Sequence, residues 1–246
     1  MSDTLTAGTI TMIGAGGDEI EAYLASPDGG GPRGGVVVIH HLPGYDRATK
    51  EITRRFAELG YDAILPNLHF REAPGAAPDD AAATVRALGG VPDERLIADV
   101  AAAATALRAL PSSNGKVATI GYCSGGRQSV LAACNVDLDA AVDCYGAFVT
   151  GTPPEGMPFR GNLVEQLPNL RAPLLGLFGA EDSYPGPEQV AQLREILAAN
   201  GKDFTEYTYE DAGHGFFAVD RVSYRPAAAN EGWQRIGEFF DKHLAG

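Results

Sequence analysis

The chain has 246 residues, 45% of them apolar, and a formal charge of −13 from 32 acidic against 19 basic residues. That balance argues against nucleic acid and anionic membrane surfaces as partners, because both need a basic face to meet their phosphates. Three cysteines, Cys123, Cys134 and Cys144, are too few and too odd in number for a disulfide framework.

The opening MSDTLTAGTITMIG has no basic segment leading into an apolar one, so no signal peptide is expected. The longest apolar run, VVVI, falls far short of the roughly 20 residues a membrane-crossing helix needs. The expected location is a reducing cytoplasm, where a thiol stays free.

Residues 9–13 and 19–25 alternate apolar with polar around a Gly-rich turn, which predicts an antiparallel hairpin. Residues 35–40 (GVVVIH) are too continuously apolar for a half-exposed strand and predict one buried on both faces. A helix over about 47–59, closed by Gly60, leads to a strand over 61–66. Residues 71–92 are rich in Ala, Pro and Gly and read as loop, short helix and loop, either a lid or a surface excursion. Pro92 then opens a helix with acids in its first turn and an arginine in its last, as the macrodipole prefers. Strands are predicted at 116–121, 140–145, 173–178 and 204–209, and helices at 124–133, 188–199 and 227–244, with an irregular excursion over 150–168. Strands alternating with helices of this length predict an α/β fold. It has a mainly parallel sheet covered on both faces, an N-terminal antiparallel hairpin, and one domain spanning residues 1–246.

Ligands of such sheets bind beyond the carboxyl ends of the strands. The polar residues that follow the predicted strands are His40–His41, Cys123, Glu181–Asp182 and His214. Cys123 is the centre of Gly121–Tyr122–Cys123–Ser124–Gly125–Gly126. A tight strand-to-helix bend of this kind needs small neighbours and sets its central side chain at a helix N-terminus. There the unpaired N–H groups and the dipole favour a thiolate and a developing oxyanion. Cys134 and Cys144 fall inside a helix and a strand and read as packing. His214, between two glycines, has the access that a general base requires. Asp182 is favoured as the acid that orients it, with Glu181 and Asp211 as rivals. The order nucleophile, acid, histidine is that of α/β-hydrolases. The oxyanion donors are expected to be the backbone N–H groups of Ser124 and Leu42. His41, Tyr45, Arg71, Arg127, Tyr145 and Phe217 are candidate pocket residues, with Phe216 and Arg160 as further possibilities. For His41 three readings stand: pocket wall, second proton carrier or plain loop residue.

The stretch SNGKVATIGYCSGG, the segment ending in Asp182 and the GHGF around His214 resemble the dienelactone hydrolase family (carboxymethylenebutenolidases), over roughly residues 8–244. The resemblance implies an α/β-hydrolase fold, a Cys–His–Asp triad, no metal or cofactor, and hydrolysis of lactone or ester bonds, the family's named substrate being a dienelactone opened to maleylacetate. Where the family's type members carry a glutamate facing the resting thiol, this chain has His41. Where they carry an arginine four residues past the histidine, it has Ala218, and for a second such arginine only Arg86 is near. The partner expected is therefore a small lactone or ester, bound by a monomer or small homo-oligomer. Rival readings are a general carboxylesterase or thioesterase and a non-catalytic binding protein on the same fold.

Overall fold

Alternation along the buried strands decides which helix covers which face. In the strand Arg33–Ile39 (β3), Val36 and Val38 join a cluster with Phe56 and Phe240, while Val37 and Ile39 join one with Leu96, Val100 and Leu107. Successive side chains of a strand point to opposite faces, so a run of valines can feed two cores at once. The structure, a computed structural model, describes residues 4–155 and 161–246.

The other strands are Leu5–Ile13 (β1), Glu19–Pro27 (β2), Asp62–Pro66 (β4), Ser113–Tyr122 (β5), Ala140–Cys144 (β6), Leu174–Gly179 (β7) and Phe204–Tyr209 (β8). They form one eight-stranded sheet in the order β1-β2-β4-β3-β5-β6-β7-β8, parallel from β4 to β8. The N-terminal hairpin adds an antiparallel edge, with β1 on β2 and β2 on β4. The helices Arg47–Glu58 (α1) and Pro226–Leu244 (α6) supply Phe56, Ile236 and Phe240 to one core. On the other face lie Asp93–Arg108 (α3), Ser124–Asn135 (α4) and Pro187–Ala199 (α5). The short helix expected between 71 and 92 is Pro78–Ala87 (α2). Among the described residues no helix is long and apolar enough to cross a membrane.

Three predicted strand ends move outward for a pairing reason. The hairpin pairs from Leu5 with Pro27 to Ile13 with Glu19, and β5 begins early because Ser113 pairs with Arg33. Arg71 requires a larger correction. Its guanidinium grips both oxygens of buried Asp99, at 2.8 and 3.0 Å, and Asp18 at 2.8 Å, and Asp99 also accepts the Ala15 N–H at 2.7 Å. Those bonds pin the hairpin turn onto α3 and leave Arg71 no part in a ligand pocket. A guanidinium forked onto a carboxylate in this way is a strong charge-assisted pair.

Candidate active site

β5 ends at Tyr122 and α4 begins at Ser124, so Cys123 alone makes the bend, at φ 56° and ψ −123°. A side-chain-bearing residue held in this region costs on the order of 1–3 kcal/mol, and the surroundings must enforce it. They do so through backbone contact. A Cβ on Gly121 would lie 1.9 Å from the Gly125 oxygen, one on Gly125 2.3 Å from the Ile39 oxygen, and one on Gly126 2.3 Å from Asp143 Oδ1. The bend is bonded at both ends: Cys123 N–H donates to Cys144 O at 3.0 Å, and Gly126 N–H donates to Cys123 O at 2.9 Å.

His214 lies on the turn after β8, with its ring 5.1 Å from that of Tyr145. Its Nδ1–H donates to Asp182 Oδ2 at 2.9 Å, and Asp182 Oδ1 accepts the Tyr184 N–H at 2.8 Å. Asp182 is buried, whereas Glu181 and Asp211 are exposed; the backbone of each is tied to neighbouring loops, and neither carboxylate meets the imidazole. The three candidate acids thus separate cleanly. Burial pulls the pKa of His214 down, but the Asp182 carboxylate and the Cys123 sulfur outweigh it, and the net effect lifts it from 6.5 to about 10. A raised folded-state value stabilises the fold fully below the unfolded value of 6.5 and is lost as pH climbs through about 10. The difference in melting temperature between the native protein and His214→Gln is therefore expected to be greatest below pH 6.5 and to vanish above about pH 10. A difference that grows with pH contradicts this charge assignment.

Cys123, His214 and Leu42 border one cavity of about 460 Å³. Among the described residues the Leu42 N–H makes no hydrogen bond, and Ser124, as the first residue of α4, has an N–H with no partner within the helix. Two amides are thus available beside the thiol. Of the pocket candidates, His41, Tyr145 and Phe217 line this cavity. Phe216 stacks behind Phe217 with its ring centroid 4.6 Å away and is fully buried. Tyr45 does not line it: its ring sits in a separate cavity of about 660 Å³ on another side of α1, with the Lys50 ammonium 4.0 Å above it. Arg127 and Arg86 border a small polar recess behind Ser124; Arg127 is buried, 3.7 Å from Asp93, with Nη2 on Gly161 O at 3.1 Å. Arg160 lies outside the described residues. Ala218 lines the cavity where an arginine was sought, and Arg221 does as well.

Sequence reading missed the far wall. Ala48, Ile52 and Arg55 come from one face of α1 and Trp233 from α6, with the Arg55 guanidinium 3.9 Å above the indole. The spacing 48, 52, 55 is a helical face, and that was the one signal available. Asp143 was missed too. Burial pushes its carboxyl up to about 7, and it accepts the Gly146 N–H at 2.7 Å directly beneath the bend. Among the described residues no group of three or more His, Cys, Asp or Glu side chains is arranged to hold a metal ion.

The family model for the dienelactone hydrolase family matches residues 20–244. An Escherichia coli K12 protein is 37% identical over 98% of this chain and 89% of its own length, and a Methylorubrum extorquens protein is 34% identical over 91% and 77%. Both bear the name "Putative carboxymethylenebutenolidase". A Klebsiella pneumoniae crystal structure described as "Putative Dienelactone Hydrolase" superposes with a TM-score of 0.85 at 30% identity, covering 98% of this chain and all of that one.

Proposed function

Because the chain belongs to the dienelactone hydrolase family, of α/β-hydrolase fold, we propose that it hydrolyses small lactones and esters through a thioester on Cys123. The observation that carries this reading is the His214–Asp182 bond of 2.9 Å on the wall of the cavity that also holds the Cys123 thiol.

In acylation the sulfur attacks the carbonyl carbon and the carbonyl electrons move to oxygen, where the Leu42 and Ser124 amides receive them. Asp182 keeps the imidazolium oriented, and His214 hands its proton to a leaving alkoxide as the C–O bond breaks, whereas an enolate or phenolate leaves as the anion. Water then adds to the thioester carbonyl, the C–S bond breaks, and the acid leaves. A thiolate is a better leaving group than an amine, so the tetrahedral adduct of an amide would expel sulfur again. Activated esters and strained lactones fit this site, and amides do not. The apolar wall of Ile52, Phe217 and Trp233 suits a flat or unsaturated substrate.

The test is to follow hydrolysis of p-nitrophenyl acetate and of an enol lactone while iodoacetamide alkylates the protein. Activity should fall in proportion to carboxamidomethylation of Cys123, located by peptide mass mapping, with Cys134 and Cys144 unmodified. Activity that survives complete alkylation of Cys123 would rule the reading out.

A further inference from the structure

On the sheet, β3 and β8 lie on opposite sides of β5, so the loops after them approach Cys123 from two flanks. One flank brings His214. The other brings His41, which lines the same cavity and also the polar recess behind Ser124. Like His214, His41 faces an aspartate: its Nε2 lies 3.1 Å from Asp46 Oδ2. The carboxylate is itself fastened, because Asp46 is the N-cap of α1 and its Oδ1 accepts the Thr49 N–H at 2.8 Å.

We propose that His41, oriented by Asp46, is the base that activates water for hydrolysis of the acyl-enzyme. This rests on the reading of Cys123 as the nucleophile. Nε2 faces the Asp46 carboxylate at 3.1 Å, which leaves Nδ1 as the second polar atom of the ring, and among the described residues Nδ1 makes no hydrogen bond. Burial pushes the Asp46 carboxyl up, but His41 and the Thr49 amide hold it down at about 2, so the carboxylate stays charged beside the ring.

The chemistry supplies the need for a second base. An enolate or phenolate departs without requiring a proton, and His214 then remains imidazolium and cannot accept one from water. His41 can. As the water oxygen bonds to the thioester carbon, its proton passes to His41 Nδ1. When the adduct collapses the C–S electron pair returns to sulfur, the thiolate is met again by the His214 imidazolium, and His41 releases its proton to solvent. An alkoxide leaving group behaves differently, because it takes the His214 proton and frees that imidazole to act as the base. His41 is therefore needed most for good leaving groups.

Rapid mixing with p-nitrophenyl acetate tests this. His41→Gln, which retains a donor for Asp46, should keep a burst near one equivalent while the steady-state rate falls roughly 10²-fold, the usual worth of a general base. Intact mass should show acetyl-Cys123 accumulating, and hydroxylamine, which needs no base to attack a thioester, should restore turnover. Asp46→Asn should shift the balance the same way by a smaller factor, and ethyl acetate hydrolysis should lose less than tenfold. Equal losses in burst and steady state, or turnover of p-nitrophenyl acetate by His41→Gln at the native rate, would overturn the proposal. If the native protein forms no acetyl-Cys123 at all, the nucleophile reading itself fails, and that result is distinct from every outcome in which acylation persists.

Discussion

Cys123→Ala is expected to lower kcat/KM for p-nitrophenyl acetate by on the order of 10⁴-fold or more, leaving only what the oxyanion amides and binding contribute. The bend survives the change, because it is held by backbone bonds from Cys123 N–H to Cys144 O and from Gly126 N–H to Cys123 O, and alanine retains both. The circular dichroism spectrum should be unchanged and the melting temperature should move by a few degrees at most. Loss of activity without loss of fold is the informative combination. Should the alanine variant keep native rates, the nucleophile lies elsewhere and Ser124 becomes the next residue to replace.

Asp182→Asn is expected to cost roughly 10³–10⁴-fold in kcat, from proton placement rather than from packing. Asp182 Oδ1 is fixed by the Tyr184 N–H, so the group facing His214 Nδ1 becomes an amide NH₂ where an acceptor stood. The imidazole must then offer Nδ1 as an acceptor and carry its proton on Nε2, which is wrong for taking a proton from the thiol. The carboxylate that helps raise the pKa of His214 to about 10 is lost as well, and the imidazole becomes a weaker base. Substrate still reaches the cavity, so KM should change far less than kcat. Equal effects on both, or a loss below tenfold, would show that Asp182 only braces its loop. Glu181→Gln, on an exposed side chain, is the matched control and should be near native.

The site was legible in the sequence where close approach of backbone dictates residue type. Gly121, Gly125 and Gly126 are spaced as they are because a Cβ at any of them meets main chain or a buried carboxyl within 2.3 Å, and so the bend is visible without coordinates. The layered α/β architecture was legible for a similar reason, since a strand buried on both faces reads as a near-continuous apolar run, as the valines of β3 do. Choosing among Glu181, Asp182 and Asp211 was less secure, because all three fall within reach of His214 along the chain and only the folded turns bury one and expose two. Arg71 misled because its partners are remote: Asp18 is 53 residues away and Asp99 28, and nothing local marks an arginine as already spent. Tyr45 misled through direction, as the turn into α1 carries its ring away from the thiol.

The 460 Å³ cavity draws its two halves from different parts of the architecture. Cys123, His214, Leu42 and His41 sit on loops at strand ends, whereas Ile52, Arg55 and Trp233 stand on helices that cover the sheet. The strand-end half is locked around Cys123 by interdependent backbone contacts, and a change there is felt in several strands at once. The helical half is held by side-chain contacts instead, the Arg55 guanidinium lying 3.9 Å above the Trp233 indole, so those two positions are to be varied together. Under the proposed reading the division makes the protein evolvable in one direction: libraries at positions 48, 52, 55 and 233 are expected to retune which acyl or alcohol group is accepted while the arrangement of Cys123, His214 and Asp182 is inherited unchanged.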